Sequence, residues 1–129
     1  MPADLIDLLT AAHRRLESLI AEVETAPTEE ARRAALDAAR AALDRHAGAE
    51  RRFLHPALRQ YLPAGPDIAA YQAAEHASFA ALAPPALFDA VRLHLQEEET
   101  ELFPRLRSAC PPPELARLGA LLESARVTD

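Results

Sequence analysis

Apolar residues recur every three to four positions along most of this chain, and prolines interrupt the pattern at intervals. Leu5, Leu9, Leu16, Ile20 and Val23 fall on one side of a helix expected over about residues 2–25. Pro27-Thr28-Glu29-Glu30 reads as a turn in which Thr28 caps a second helix. That helix runs to about residue 61, with Leu36, Leu43, Phe53 and Ala57 inward. A kink is expected at Pro56, because a proline inside a helix removes one hydrogen bond and crowds the preceding turn. Residues 62–66 break the pattern, and Asp67 is placed to cap a third helix carrying Ile68, Tyr71, Phe79 and Leu82 and ending near residue 83. Pro84-Pro85 opens a fourth helix, with Leu87, Val91, Leu95 and Leu102 inward and a second kink at Pro104. Three prolines from Pro111 introduce a short fifth helix at about 113–126, striped by Leu115, Leu118, Leu121 and Leu122.

Short turns between long helices force antiparallel neighbours. The predicted fold is therefore all-α: an up-down-up-down antiparallel four-helix bundle with a short C-terminal fifth helix. It is read as a single domain over residues 1–129, with the bundle at about 2–110 and the fifth helix closing one end or forming a dimer contact. Composition agrees, with 30 Ala and 20 Leu against six Val and Ile together. All 14 basic residues are Arg, and the net charge of −6 excludes nucleic acid as a partner, since no face accumulates enough positive charge to track phosphates. Cys110 is the one cysteine, so neither an internal disulfide nor a thiolate cluster is available and a reducing compartment fits. Charges interrupt the first twenty residues, which lack the apolar stretch of a signal peptide, and no run suits a membrane span. The expectation is a cytoplasmic protein, monomer or homodimer, with no membrane association.

The chemistry enters with an internal repeat. His46 and Glu50, followed by Leu54-His55-Pro56 and Leu58, return 48 residues later as His94 and Glu98, followed by Leu102-Phe103-Pro104 and Leu106. His13 and His76 match loosely, each with an apolar residue three positions on (Leu16, Phe79), so the chain reads as two related helical hairpins. Each of the four long helices thus carries one histidine on its apolar stripe, and in two of them a glutamate follows one turn later on the same face. A lone inward histidine is usually a hydrogen-bonded core residue. Four imidazoles and two carboxylates converging on one interior are another matter, because each buried carboxylate costs several kcal/mol unless compensated, and the arginines look outward. A domain with a margin of roughly 5–15 kcal/mol needs a counter-ion there, and metal cations supply it. Imidazole and carboxylate without thiolate suit iron or manganese, whereas zinc settles for four ligands. Six ligands suit two metals bridged by both glutamates. The Glu-x-x-His spacing of ferritin-like di-iron bundles occurs nowhere in the chain.

His13, the His46/Glu50 pair with Pro56 behind it, Glu75-His76, and His94 with Glu98-Glu99 and Leu102-Phe103-Pro104 together resemble the hemerythrin-like, or HHE cation-binding, domain over about residues 5–107. The resemblance implies two non-haem iron ions in a centre bridged by the two carboxylates and an oxo or hydroxo group, with His13, His46, Glu50, His76, His94 and Glu98 as ligands. It also implies a protein that binds, senses or reduces a small diatomic or peroxidic ligand (dioxygen, peroxide or nitric oxide) or handles iron, with an unidentified redox partner. No catalytic residue is assigned, and enzymatic activity extends at most to weak reduction of peroxide or oxygen.

Oxygen carriers of this family place a second histidine four residues before the third-helix ligand, where this chain has Gln72. One iron then lacks an imidazole, and reversible dioxygen carriage is not expected. His55, which takes the place of Phe103 in the repeat, is read as packing; Glu17 as lying outside the ligand set; and Glu97, Glu99 and Glu101 as a solvated face. Tyr71 is a candidate to approach the site, and Cys110 is a terminal residue without a role. Two other function classes compete. A zinc-plugged structural or interaction bundle would hold one zinc and no iron, and a histidine phosphotransfer domain would need one exposed histidine beside cationic residues.

Overall fold

The computed structural model describes residues 2–128, with side chains through residue 126; Met1 and Asp129, the ends of the expected domain, lie outside the described residues. The described residues are helical with no strand: α1 (Leu5–Thr25), α2 (Glu29–Ala49), α3 (His55–Tyr61), α4 (Gly65–Phe79), α5 (Ala86–Glu97), α6 (Phe103–Ala109) and α7 (Pro112–Thr128). Asp4 caps α1, and its side chain and that of Asp7 each accept the other's backbone N–H. Thr28 caps α2 as expected, its hydroxyl oxygen accepting the Ala31 N–H at 3.0 Å.

The kinks expected at Pro56 and Pro104 take a specific form. One wide π-helical turn, Glu50–Leu54, joins α2 to α3, and a second, Glu98–Leu102, joins α5 to α6. Each ends with a backbone N–H donating five residues back, His55 to Glu50 and Phe103 to Glu98. An α-helical turn here would press each proline ring on the carbonyl four residues earlier and leave that carbonyl without its donor. The wider turn ahead of the proline absorbs the conflict, and α-helix resumes at once. Both glutamates of the repeat therefore open a π turn.

Two boundaries differ from expectation. The residue capping α4 is Ala64, and Asp67 sits inside the first turn, near the positive end of the helix. The earlier start is possible because Gly65 presses against α3: a Cβ there would lie 1.8 Å from the Leu58 carbonyl oxygen. Pro66 fits the first turn, where its missing N–H is not needed. The helix then stops at Phe79, short of residue 83, ahead of a segment containing the cis Pro84–Pro85 bond. Tyr71 faces solvent, 60% exposed, and not the interior; Gln72 and Phe79 are the buried residues on that face.

Helix α1 packs along α2 and α7, and α3 along α4, with α3 also touching α6. Leu115, Leu118 and Leu122 of α7 share a core with Leu5, Ile6, Leu8 and Leu9, so this helix is part of the packed body, and Leu121 departs from the stripe by remaining exposed. Gly119 lets α7 press against the segment ahead of α1, where a Cβ would lie 2.7 Å from the Ala3 carbonyl oxygen. The core is divided in two. One cluster gathers Leu5, Leu9, Phe53, Leu54, Leu102 and Leu106, and the other Leu16, Ile20, Leu43, Phe79, Val91 and Leu95. Along α1 the change from one cluster to the other falls at His13, along α2 at His46 and Glu50, and along α5 at His94 and Glu98. A polar layer thus lies between two apolar ones. No helix among the described residues is long and apolar enough to cross a membrane.

Candidate metal centre

The six residues singled out from the sequence meet in that layer. His13, His46, Glu50 and Glu98 place one ligand-capable atom each within 4.8 Å of one another, and so do Glu50, His76 and His94. Glu50 belongs to both groups. Glu98 also faces both: its Oε1 is 2.9 Å from His13 Nε2, while its Oε2 is 3.5 Å from His94 Nε2. Both carboxylates are fully buried, and among the described residues no arginine pairs with them.

The directions of these contacts carry more than the distances. Glu50 Oε1 is 3.0 Å from His76 Nε2 and 3.6 Å from His94 Nε2, and Glu50 Oε2 is 3.6 Å from His46 Nε2. Yet both Glu50 oxygens, both His46 ring nitrogens and Glu98 Oε2 are buried without a hydrogen bond. Close polar atoms that are not aimed at one another leave buried groups unsatisfied, which costs roughly 1–3 kcal/mol each. Donors about 2.0–2.2 Å from a shared cation lie at most about 4.4 Å apart and point at the cation instead. The spacing and the orphaned atoms both fit a metal.

The protonation pattern points the same way. Burial works against a charge on Glu50, but His46 and then the neighbouring Glu98, His76 and His94 outweigh it and hold this carboxyl well below its usual range. Burial and then the Glu50 charge push Glu98 well above. The two neighbouring carboxyls are thus pushed in opposite directions. Burial pushes His46 down to about 4 and lowers His13, with Glu99 pulling His13 back up. His94 is raised, because Glu50 and Glu75 overcome the effect of its burial.

Two acidic residues assigned to no site, Glu75 and Glu99, hold ligand-candidate imidazoles from behind. His13 Nδ1–H donates to Glu99 Oε2 at 2.8 Å, and Arg14 pairs with the same carboxylate. His94 Nδ1–H donates to Glu75. Each contact fixes the tautomer that turns the Nε2 lone pair inward, the arrangement by which outer carboxylates orient metal-bound histidines. Glu99 is therefore not part of a solvated face. A signal was present for both, since each glutamate adjoins a site residue in sequence, Glu75 beside His76 and Glu99 beside Glu98.

The chain matches the family model described as the Hemerythrin HHE cation binding domain over residues 4–85. It belongs to that family. No curated protein and no solved structure matches it. The matched part of this hemerythrin-family chain contains His13, His46, Glu50 and His76. His94 and Glu98 lie beyond it and rest on the internal repeat and on the geometry above.

The remaining candidates separate. Glu17 pairs with Arg14 at the surface. Cys110 is buried in the core, its thiol pushed up by burial. His55 is buried with its ring stacked on that of His76, centroids 5.8 Å apart, and burial pushes it down to about 4. A cavity of about 1010 Å³, lined by Ala11, Ala12, Gly48, Arg45 and Arg52 among others, reaches His46 from outside.

Proposed function

We propose that this protein holds two iron ions, one among His13, His46, Glu50 and Glu98 and the other among Glu50, His76 and His94, with both glutamates bridging. The single observation that carries this reading is the sharing of a fully buried, hydrogen-bond-free Glu50 between two adjacent donor groups. One isolated zinc would use only four of these donors and leave the rest buried and unpaired, which disfavours the zinc-plug alternative. The surrounding architecture that we propose is an up-down-up-down arrangement of four rods (α1, α2–α3, α4 and α5–α6), with α7 closing one side in a single domain.

Bound iron would supply one-electron redox chemistry and an electrophilic position for a small ligand such as dioxygen, peroxide or nitric oxide. The chain's own residues do the rest. Glu99 and Glu75 keep His13 and His94 in the metal-binding tautomer. The apolar clusters wall the layer off above and below, and the cavity that reaches His46 is the approach left to a small molecule. Glu50 and Glu98 direct carboxylate oxygens to where the cations would sit. We place this activity in the cytoplasm, in keeping with the solitary buried thiol. The deciding experiment is elemental analysis of protein produced in iron-replete cells. Two iron ions per chain are expected; one zinc with no iron would overturn the reading.

A further inference from the structure

The two halves of the repeat differ at one position inside the core. Phe103 stacks on His13 with centroids 5.5 Å apart and planes inclined by 18°, and its repeat partner His55 stacks on His76 at 5.8 Å and 21°. The same packing role is filled by a hydrocarbon ring in one half and an imidazole in the other. A phenylalanine would serve the packing without a buried polar atom, and His55 Nε2 is buried with no hydrogen-bond partner. Gln72, one turn before His76 on the same helix, is also buried, and its Oε1 likewise has no partner. Two orphaned polar atoms therefore flank His76, one on its stacked neighbour and one a turn away.

They flank the second of the two donor groups. His13, His46, Glu50 and Glu98 make a group of four, whereas Glu50, His76 and His94 make a group of three that does not include His55. With Glu98 shared as well, a cation there would have two imidazoles and two carboxylates from the chain, and the two orphaned atoms beside it would remain unsatisfied. Resting on the di-metal reading above, we propose that His55 Nε2 and Gln72 Oε1 form a polar recognition site for a small hydrogen-bonding ligand bound beside His76, a water or a small anion. The imidazole can donate to such a ligand or accept from it, and the amide oxygen can accept from its O–H. Both orphaned atoms are then satisfied by the guest, as buried polar groups usually are by ordered water or ligand. The mirror-related face, with Phe103 in place of the imidazole, offers no such contact, so the two halves of the centre bind guests unequally.

The test compares wild type, His55→Phe and Gln72→Met, each loaded with iron, in three measurements: iron content, azide affinity by absorbance titration, and melting of the metal-free protein. His55→Phe copies the residue that already fills the equivalent position. It should keep the wild-type iron content, weaken azide about tenfold through loss of one hydrogen bond to a buried guest, and melt no lower than wild type without metal. Gln72→Met preserves length and shape, and because azide carries no proton for Oε1 to accept, it should leave azide affinity within twofold of wild type or tighten it. Azide affinity unchanged within twofold in His55→Phe would show His55 to be packing, and weakening of azide by Gln72→Met would show that Oε1 does not act as an acceptor; either overturns the proposal alone. Loss of iron from His55→Phe would make His55 a direct ligand and overturn it too. A wild type that retains no second cation would overturn the di-metal reading and this proposal with it.

Discussion

At Glu50 every consideration acts on one carboxylate: complete burial, contacts with three imidazoles, and no hydrogen bond to satisfy either oxygen. Glu98 is comparable, with one oxygen toward His13 and the other toward His94. Replacing either by Ala should remove both cations, and elemental analysis of the purified variants checks this; retention of two ions by Glu50→Ala would show that the carboxylate does not bridge. The outer pair behaves differently. Glu75→Gln and Glu99→Gln keep an acceptor beside His94 and His13 but lose the charge, so affinity should fall by about 10–100-fold at unchanged stoichiometry. Competition with a chelator measures that ratio. Tyr71→Phe should leave the stoichiometry unchanged, since the ring lies in solvent and meets the site only through its hydroxyl's bond to Glu75. These assignments mark what was readable from residue pattern alone. An imidazole on an apolar stripe is anomalous by itself, so His13, His46, His76 and His94 stood out. Glu99 did not, because an acidic residue among Glu97, Glu98 and Glu101 looks like surface until the partner on α1, His13, is in place. Tyr71 was misplaced for the opposite reason: an aromatic ring is apolar enough to suggest burial, but the buried face of α4 runs through Ala69, Gln72 and Phe79.

Among the elements, helix extents followed from proline placement and apolar period, while the π turns did not. Their sequence cue, a proline six residues after a glutamate in both repeats, predicts a disturbance without saying how the backbone absorbs it. The start of α4 was misjudged because it depends on a contact between helices. Gly65 lies in van der Waals conflict range of Leu58 and Arg59 backbone, information that no local pattern contains. That contact gives a paired prediction. Gly65→Ala would push a Cβ into the Leu58 carbonyl, separate α4 from α3 and destabilise the protein by about 1–3 kcal/mol or more. Gly48→Ala lies in the middle of the α2–α3 rod, where the nearest atom to a new Cβ is Arg51 side chain at 3.7 Å, ordinary contact. It should stabilise by about 0.5–1 kcal/mol through lower chain entropy in the unfolded state. Urea unfolding of the metal-free variants decides both, and equal effects of one sign would refute the packing described for Gly65.

For the whole molecule, the polar layer between two apolar clusters makes stability depend on what the layer contains. Without cations it holds unsatisfied buried atoms of His46, Glu50 and Glu98. With cations those atoms would be coordinated together with His13, His76 and His94, which would tie α1, α2, α4, α5 and the two π turns to one another. A ligand that binds only the native state stabilises it by RT ln(1 + [L]/Kd), about 2.7 kcal/mol for each site at free metal a hundred times Kd. Two occupied sites then contribute about 5 kcal/mol, a large part of the roughly 5–15 kcal/mol typical of a domain. At about 3–5 °C per kcal/mol for a chain of this size, metal removal should lower Tm by about 15–25 °C. The measurement is thermal unfolding followed by circular dichroism, before and after chelation, with iron content verified in both samples and iron added back to the second. Recovery of Tm on reconstitution separates loss of the cations from damage during chelation. A melting curve that stays in place after verified removal would mean that the cations are not held in this layer, and the di-metal reading would fall with it.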